Sequence, residues 1–244
     1  MASANNPDFS HITTVIFDMD GTLIEHTWQL SKICNVLFEQ FANQLSPVTQ
    51  DEFFDCYWVK STDLWYMMVD GVIDGETAAR YGYANTLRTL GQDPSLAQAM
   101  LDAWRALVLE EAVPFSDTFS VLAAVGKKYA TGILTNGFTV LQRLKINKYQ
   151  LADYVDVTLV SEEAGYHKPD PRVFDEMLKR MGQPRPEETL YIGDNLTTDI
   201  SGALAAGITP IFMNPKNDAN PPDGVLKITQ LSQLLEILRL SGGA

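Results

Sequence analysis

Seven polar residues sit at the ends of four short apolar runs, and their types suit the handling of a phosphoryl group. Thr13–Phe17 closes in Asp18-Met19-Asp20-Gly21-Thr22, and Thr131–Leu134 closes in Thr135-Asn136-Gly137. Lys168-Pro169 follows Val155–Val160, and Thr189–Ile192 closes in Gly193-Asp194, with Asp199 five residues on. If Asp18, Asp20, Asp194 and Asp199 share one rim, like charges about 4 Å apart repel by about 4 kcal/mol at an effective dielectric of about 20. Such a set needs protons or a cation. Oxygen donors with no nearby His or Cys favour a hard ion such as Mg²⁺, which uses one or two carboxylates together with a substrate phosphate. The Thr135 hydroxyl and the Lys168 ammonium can then serve the remaining phosphoryl oxygens. Asp18 suits a carboxylate nucleophile, and Asp20 suits general acid and base work.

The elements that must carry these residues can be read from the same runs. Each is short, rich in β-branched residues and free of alternation, as expected of strands buried on both faces of a parallel sheet. Ile208–Phe212 is a fifth. Helix-length patterns such as Pro171–Met181 and Thr197–Ala206 lie between them, giving a βα alternation that right-handed crossovers wind into an α/β sheet. Ligands of such a sheet bind beyond the carboxyl ends of its strands. The exception is the long first interval. Leu30, Ile33, Leu37, Phe41 and Leu45 recur at helical spacing, and similar patterns cover 50–69, 76–90 and 95–111. This predicts an all-helical insertion over 25–112 within a core made of 1–24 and 113–244, with Pro114 marking the return.

The four polar clusters, in this order, resemble the motifs of the haloacid dehalogenase-like hydrolase superfamily: DMDGT, the Thr of LTNG, the Lys of HKPD, and GDNLTTD. The resemblance implies a Rossmann-like core with an inserted helical cap of the C1 type. It makes Asp18 the nucleophile and Asp20 the acid that protonates the leaving oxygen and then activates water. It gives Mg²⁺ to Asp18, the main-chain carbonyl of Asp20 and Asp194, with Asp199 behind them, and the phosphoryl oxygens to Thr135, Asn136 and Lys168. Dehalogenating members lack the second carboxylate of the first motif, so Asp20 points to phosphate esters. The stretches around Leu64-Trp65, TGILTNGFTVLQ and LVSEEAGYHKPD are similar to the branch of pyrimidine nucleoside 5'-monophosphatases. The expected activity is hydrolysis of a small phosphate monoester. The rivals are a phosphomutase, separated by whether inorganic phosphate or an isomerised product appears, and a non-catalytic module that binds a phosphorylated metabolite without turnover.

Singly, each residue has a plainer reading. Asp18, Asp20 and Asp194 could be turn formers or helix caps, Thr135 and Asn136 the start of a helix, Lys168 a solvated loop residue, and Asp199 structural. His26 and His167 flank motifs without ligand spacing. Tyr57, Trp58, Trp65 and Tyr66 could stack a nucleobase, but their helical spacing makes core packing the default. Leu231–Leu240 reads as a final helix and Asn214–Gly224 as a long loop.

Composition bounds the rest. The 244 residues are 45% hydrophobic and 20% charged, which fits a globular fold and excludes disordered and disulfide-scaffold classes. The net charge of −13 repels polyanions and anionic bilayers over about 8 Å, arguing against polymeric nucleic acid and membrane as partners. Cys34 and Cys56 form no ligand cluster and are expected as reduced, semi-buried thiols. The opening MASANNPDFSHI has no basic and apolar leader pattern, and the expected location is the cytoplasm.

Overall fold

The computed structural model describes residues 8–25 and 30–240. The chain forms two compact units, one of Met1–His26, Val113–Gly137 and Lys145–Ala244, the other of Thr27–Ala112 and Phe138–Leu144.

The first unit is built on a parallel six-stranded sheet: β1 (Thr14–Phe17), β2 (Ala130–Thr135), β3 (Val157–Val160), β4 (Thr189–Gly193), β5 (Thr209–Met213) and β6 (Leu226–Ile228). Their spatial order is β3-β2-β1-β4-β5-β6, the expected Rossmann-like α/β arrangement. Every residue of β1 and β4 is buried, which explains their unbroken apolar sequences. In register, Phe17 lies beside Ile133 of β2 and Ile192 of β4. The residues that follow β1, β2 and β4 therefore emerge side by side, where the strand order reverses and a crevice opens.

The helices are α1 (Leu30–Leu45), α2 (Gln50–Val69), α3 (Gly75–Thr89), α4 (Ala97–Glu111), α5 (Thr118–Val125), α6 (Thr139–Lys148), α7 (Ser161–Ala164), α8 (Pro171–Arg180), α9 (Ser201–Ala205) and α10 (Gln233–Ile237). The second unit takes α1 to α4 and the first turns of α6. Thr49 and Glu52 cap each other's main chain at the start of α2. Phe53, Tyr83, Leu87, Met100 and Leu101 form its buried centre. Cys34 is buried there, with its thiol pushed up to about 11 by burial, and Cys56 is half-buried; both are free.

Three elements differ from the sequence reading. The strand β6 is only three residues long, too short to show a period. The expected helix over 231–240 contracts to α10: the Gln233 side-chain oxygen accepts the N–H groups of Thr229 and Gln230 ahead of it, and beyond it Arg239 turns to a φ of 53° while the Leu240 N–H closes on the Leu235 carbonyl at 2.7 Å. The helix expected over 197–206 begins as a wider turn over Leu196–Ile200, in which the Ile200 N–H reaches the Asn195 carbonyl five residues back. Such turns cluster at functional sites; here it carries Asp199. No described helix is long and apolar enough to cross a membrane.

Candidate active site

Asp18 continues β1, its N–H donating to the Ile192 carbonyl at 2.8 Å. Only 5% of the residue is exposed. Lys168, brought in by the loop after α7, donates from Nζ to Asp18 Oδ1 and Asp199 Oδ1 at 2.6 Å each, to the Tyr191 hydroxyl at 2.8 Å and to the Leu134 carbonyl at 3.2 Å. Burial pushes the Asp18 carboxyl well above its ordinary range; Lys168 opposes this, and Asp199 and Asp194 push it further up. For Lys168, burial alone would lower the ammonium pKa, but Asp18 and Asp199 more than reverse that. A buried ion pair of this kind holds only when its lone pairs and protons are satisfied. Asp199 meets that condition: its second oxygen accepts the Asn195 N–H at 3.0 Å.

Two glycines make the close packing possible. A Cβ on Gly193 would lie 2.5 Å from the Cβ of Asp199, and one on Gly21 would lie 2.0 Å from Asp194 Oδ2. Gly21 also has a φ of 85°, a left-handed conformation that glycine adopts without steric cost. Carboxylate oxygens of Asp18, Asp194 and Asp199 consequently lie within 4.8 Å of one another. Burial, with Asp199 next, pushes the Asp194 carboxyl up to about 7.

Thr135 ends β2 and is 1% exposed. The Asn136 amide is engaged with the main chain of Lys168: it donates to the Lys168 carbonyl at 3.0 Å and accepts the Lys168 N–H at 2.9 Å. Its side chain thus fixes the lysine loop. Asp20 lies in the turn after β1, and both its oxygens accept from Lys145 Nζ at 2.8 Å. His167 is directed to Ser161, at 2.9 Å, with its pKa lowered by burial. His26 lies outside the described residues. In the second unit, Tyr57 stacks on Tyr83 at 4.7 Å, while Trp58, Trp65 and Tyr66 are 44%, 43% and 63% exposed. These rings border a cavity of about 310 Å³ whose lining carries no charged residue.

Sequence reasoning missed two groups. Tyr191 sits within an apolar strand, where its hydroxyl is the only sign of a polar role. Lys145 follows Leu141 by one helical turn, and a lysine on a helix's apolar stripe is the kind of residue that must find a partner.

The donor chemistry suits a hard divalent cation. The grouped acids offer oxygen alone, and Asp18, Asp20, Asp194 and Asp199 face the ammonium groups of Lys168 and Lys145. Among the described residues, four carboxyl groups stand here against two ammonium groups.

Residues 15–213 match the family described as haloacid dehalogenase-like hydrolase. The chain belongs to this family. It is 28% identical to the pyrimidine 5'-nucleotidase YjjG of Escherichia coli, over 93% of this chain and 96% of that protein. It is 35% identical to the ribulose-1,5-bisphosphate 5-phosphatase of Halopiger xanaduensis, over 85% and 87%. Among solved structures, the putative HAD-hydrolase YfnB of Bacillus subtilis, bound to magnesium, aligns with a TM-score of 0.68 at 26% identity, over 93% of this chain and 98% of that one. This haloacid dehalogenase-like hydrolase is an enzyme of the phosphatase kind.

Proposed function

We propose that this hydrolase is a Mg²⁺-dependent phosphatase that cleaves a small phosphate monoester through an aspartyl-phosphate on Asp18. The observation that carries the reading is the Asp18 carboxylate. It is buried at a strand end, held through one oxygen by Lys168, with the Asp194 carboxylate beside it. Fixing one oxygen orients the other for attack, and a nucleophile held in place needs little reorganisation in the transition state.

In the first half-reaction Asp18 attacks phosphorus, the bond to the leaving oxygen breaks, and Asp20 in its acid form gives that oxygen a proton. In the second, Asp20 takes a proton from water as the water attacks the phosphoaspartate, releasing inorganic phosphate and restoring Asp18. The Thr135 hydroxyl, the Asn136 N–H and Lys168 serve the phosphoryl oxygens. Mg²⁺, held by Asp18, Asp194 and the Asp20 carbonyl, would neutralise the charge of the transferring group. Asp199 keeps Lys168 in place. The second unit acts as the cap that selects the leaving group.

The finer reading is a nucleoside 5'-monophosphate. It draws on the likeness to the nucleotidase YjjG. Other relatives, such as the ribulose-1,5-bisphosphate 5-phosphatase, act on sugar phosphates. A panel of nucleotides, sugar phosphates and an aryl phosphate, assayed with Mg²⁺, ranks these classes. Replacing Asp18 by Asn is expected to abolish turnover of the aryl phosphate and of every ester in the panel. An Asp18→Asn protein that keeps most of its activity refutes the nucleophile assignment.

A further inference from the structure

Lys145 belongs to none of the four motif clusters, yet it ranks among the largest fully buried side chains of the molecule. Its ammonium lies 2.8 Å from both Asp20 oxygens, and its side chain is 1% exposed against 18% for Asp20. Burying such a pair gives little net stability, because desolvation offsets the attraction and an apolar residue of similar volume often serves as well. Stability is therefore a poor reason for this lysine.

The surrounding turn supplies a better one. Its main chain is already fixed, with the Gly21 N–H donating to the Ile24 carbonyl at 2.7 Å and the Leu23 N–H to Met19 at 2.9 Å. What those bonds leave undetermined is the rotation of the Asp20 side chain. An ammonium in hydrogen-bond contact with both oxygens restrains that rotation. The two lysines thus divide the acids: Lys168 takes Asp18 and Asp199, and Lys145 takes Asp20.

We propose that Lys145 is a positioning residue for Asp20, holding its carboxylate where it exchanges a proton with the leaving oxygen and then with the attacking water. This rests on the assignment of Asp20 as acid and base, and the test separates the two ideas. An aryl ester such as p-nitrophenyl phosphate expels a stable anion that needs little help from an acid, whereas an alkoxide leaving group needs a proton in the transition state. Positioned proton transfer is worth about 10²- to 10⁴-fold.

In the Mg²⁺-loaded protein, Lys145→Met is expected to lose kcat/KM on the best alkyl or nucleoside ester at least about tenfold more than on p-nitrophenyl phosphate. With the aryl ester it is expected to give a burst of nitrophenolate before a slower steady state, because water activation also needs Asp20. Lys145→Arg should recover part of the loss, and Lys145→Gln provides a second reading if the methionine variant folds poorly. Asp20→Asn should show the same dependence on leaving group, and adding Lys145→Met to it should change the ratio no further. Equal losses on both esters, or a further change in the ratio in the double variant, overturn the role of Lys145. If Asp20→Asn itself shows no leaving-group dependence, the acid assignment fails and Lys145 falls with it. Loss of all turnover in Asp18→Asn, measured alongside, shows that the nucleophile reading survives either result.

Discussion

The rim of the sheet and the interior of the helical unit solve opposite problems. At the strand ends Lys168 and Asp199 are nearly excluded from solvent, with side chains 2% and 1% exposed, and the arrangement holds because each charge has named partners. In the helical unit the interior is made of rings and aliphatic chains, with Phe53 edge-on to Phe54 at 5.3 Å and Tyr57 stacked on Tyr83. Burial of apolar area is roughly additive and non-directional, so such a core tolerates exchange of shape. A buried ionic network is directional, and losing one member leaves another charge without a partner. The rim is therefore the region that tolerates exchange least, and the helical interior the one that tolerates it more.

Three measurements can break or sharpen this contrast. The largest effect belongs to Lys168→Met, which strands Asp18 and Asp199 in a buried site. It is expected to cost about 3–5 kcal/mol of stability and to lower kcat/KM by about 10²-fold or more, read by chemical denaturation and by turnover of an aryl phosphate. A folded, fully active Lys168→Met would erase the distinction.

Next comes Phe53→Ala in the helical unit, expected to cost about 3–5 kcal/mol by opening a cavity. The aryl-phosphate turnover of the fraction that remains folded should fall far less than in Lys168→Met. Comparable losses of turnover in the two variants would mean that the rim is not self-sufficient in positioning its groups.

The smallest effect is one of pH. The carboxyls of Asp18 and Asp194 are raised in the folded protein, Asp194 to about 7, so between about pH 4 and pH 7 the folded state holds more protons than the unfolded one. Stability from these groups is then fully present below the ordinary carboxyl range and is lost as pH rises through about 7. Chelator-treated protein should melt at a lower temperature at pH 8 than at pH 6. Saturating Mg²⁺ should narrow that gap, since a bound cation favours the ionised carboxylates. A melting temperature that responds to neither pH nor Mg²⁺ would count against a cation-ready cluster of acids.

Much of the candidate site was legible because phosphoryl chemistry draws on few residue types and a parallel sheet gathers strand ends. Asp18, Thr135, Lys168 and Asp194 could be named from the residues that terminate apolar runs, before any distance was known. Other assignments needed the folded chain. The Asn136 amide is engaged with the main chain of Lys168, a pairing across 32 residues that no local pattern announces. Asp199 sits in what reads as an ordinary helix and is turned inward by a wider turn.

The linear order of residues determined the α/β class, the helical insertion and the four polar clusters, because periodicity and strand termination are local properties of the chain. Only the tertiary structure decided how the charges are shared out. It gave Lys168 to Asp18 and Asp199, and Lys145 to Asp20, because a buried ammonium must be satisfied by whichever acids the fold brings within hydrogen-bond reach, and those lie 150, 31 and 125 residues away along the chain.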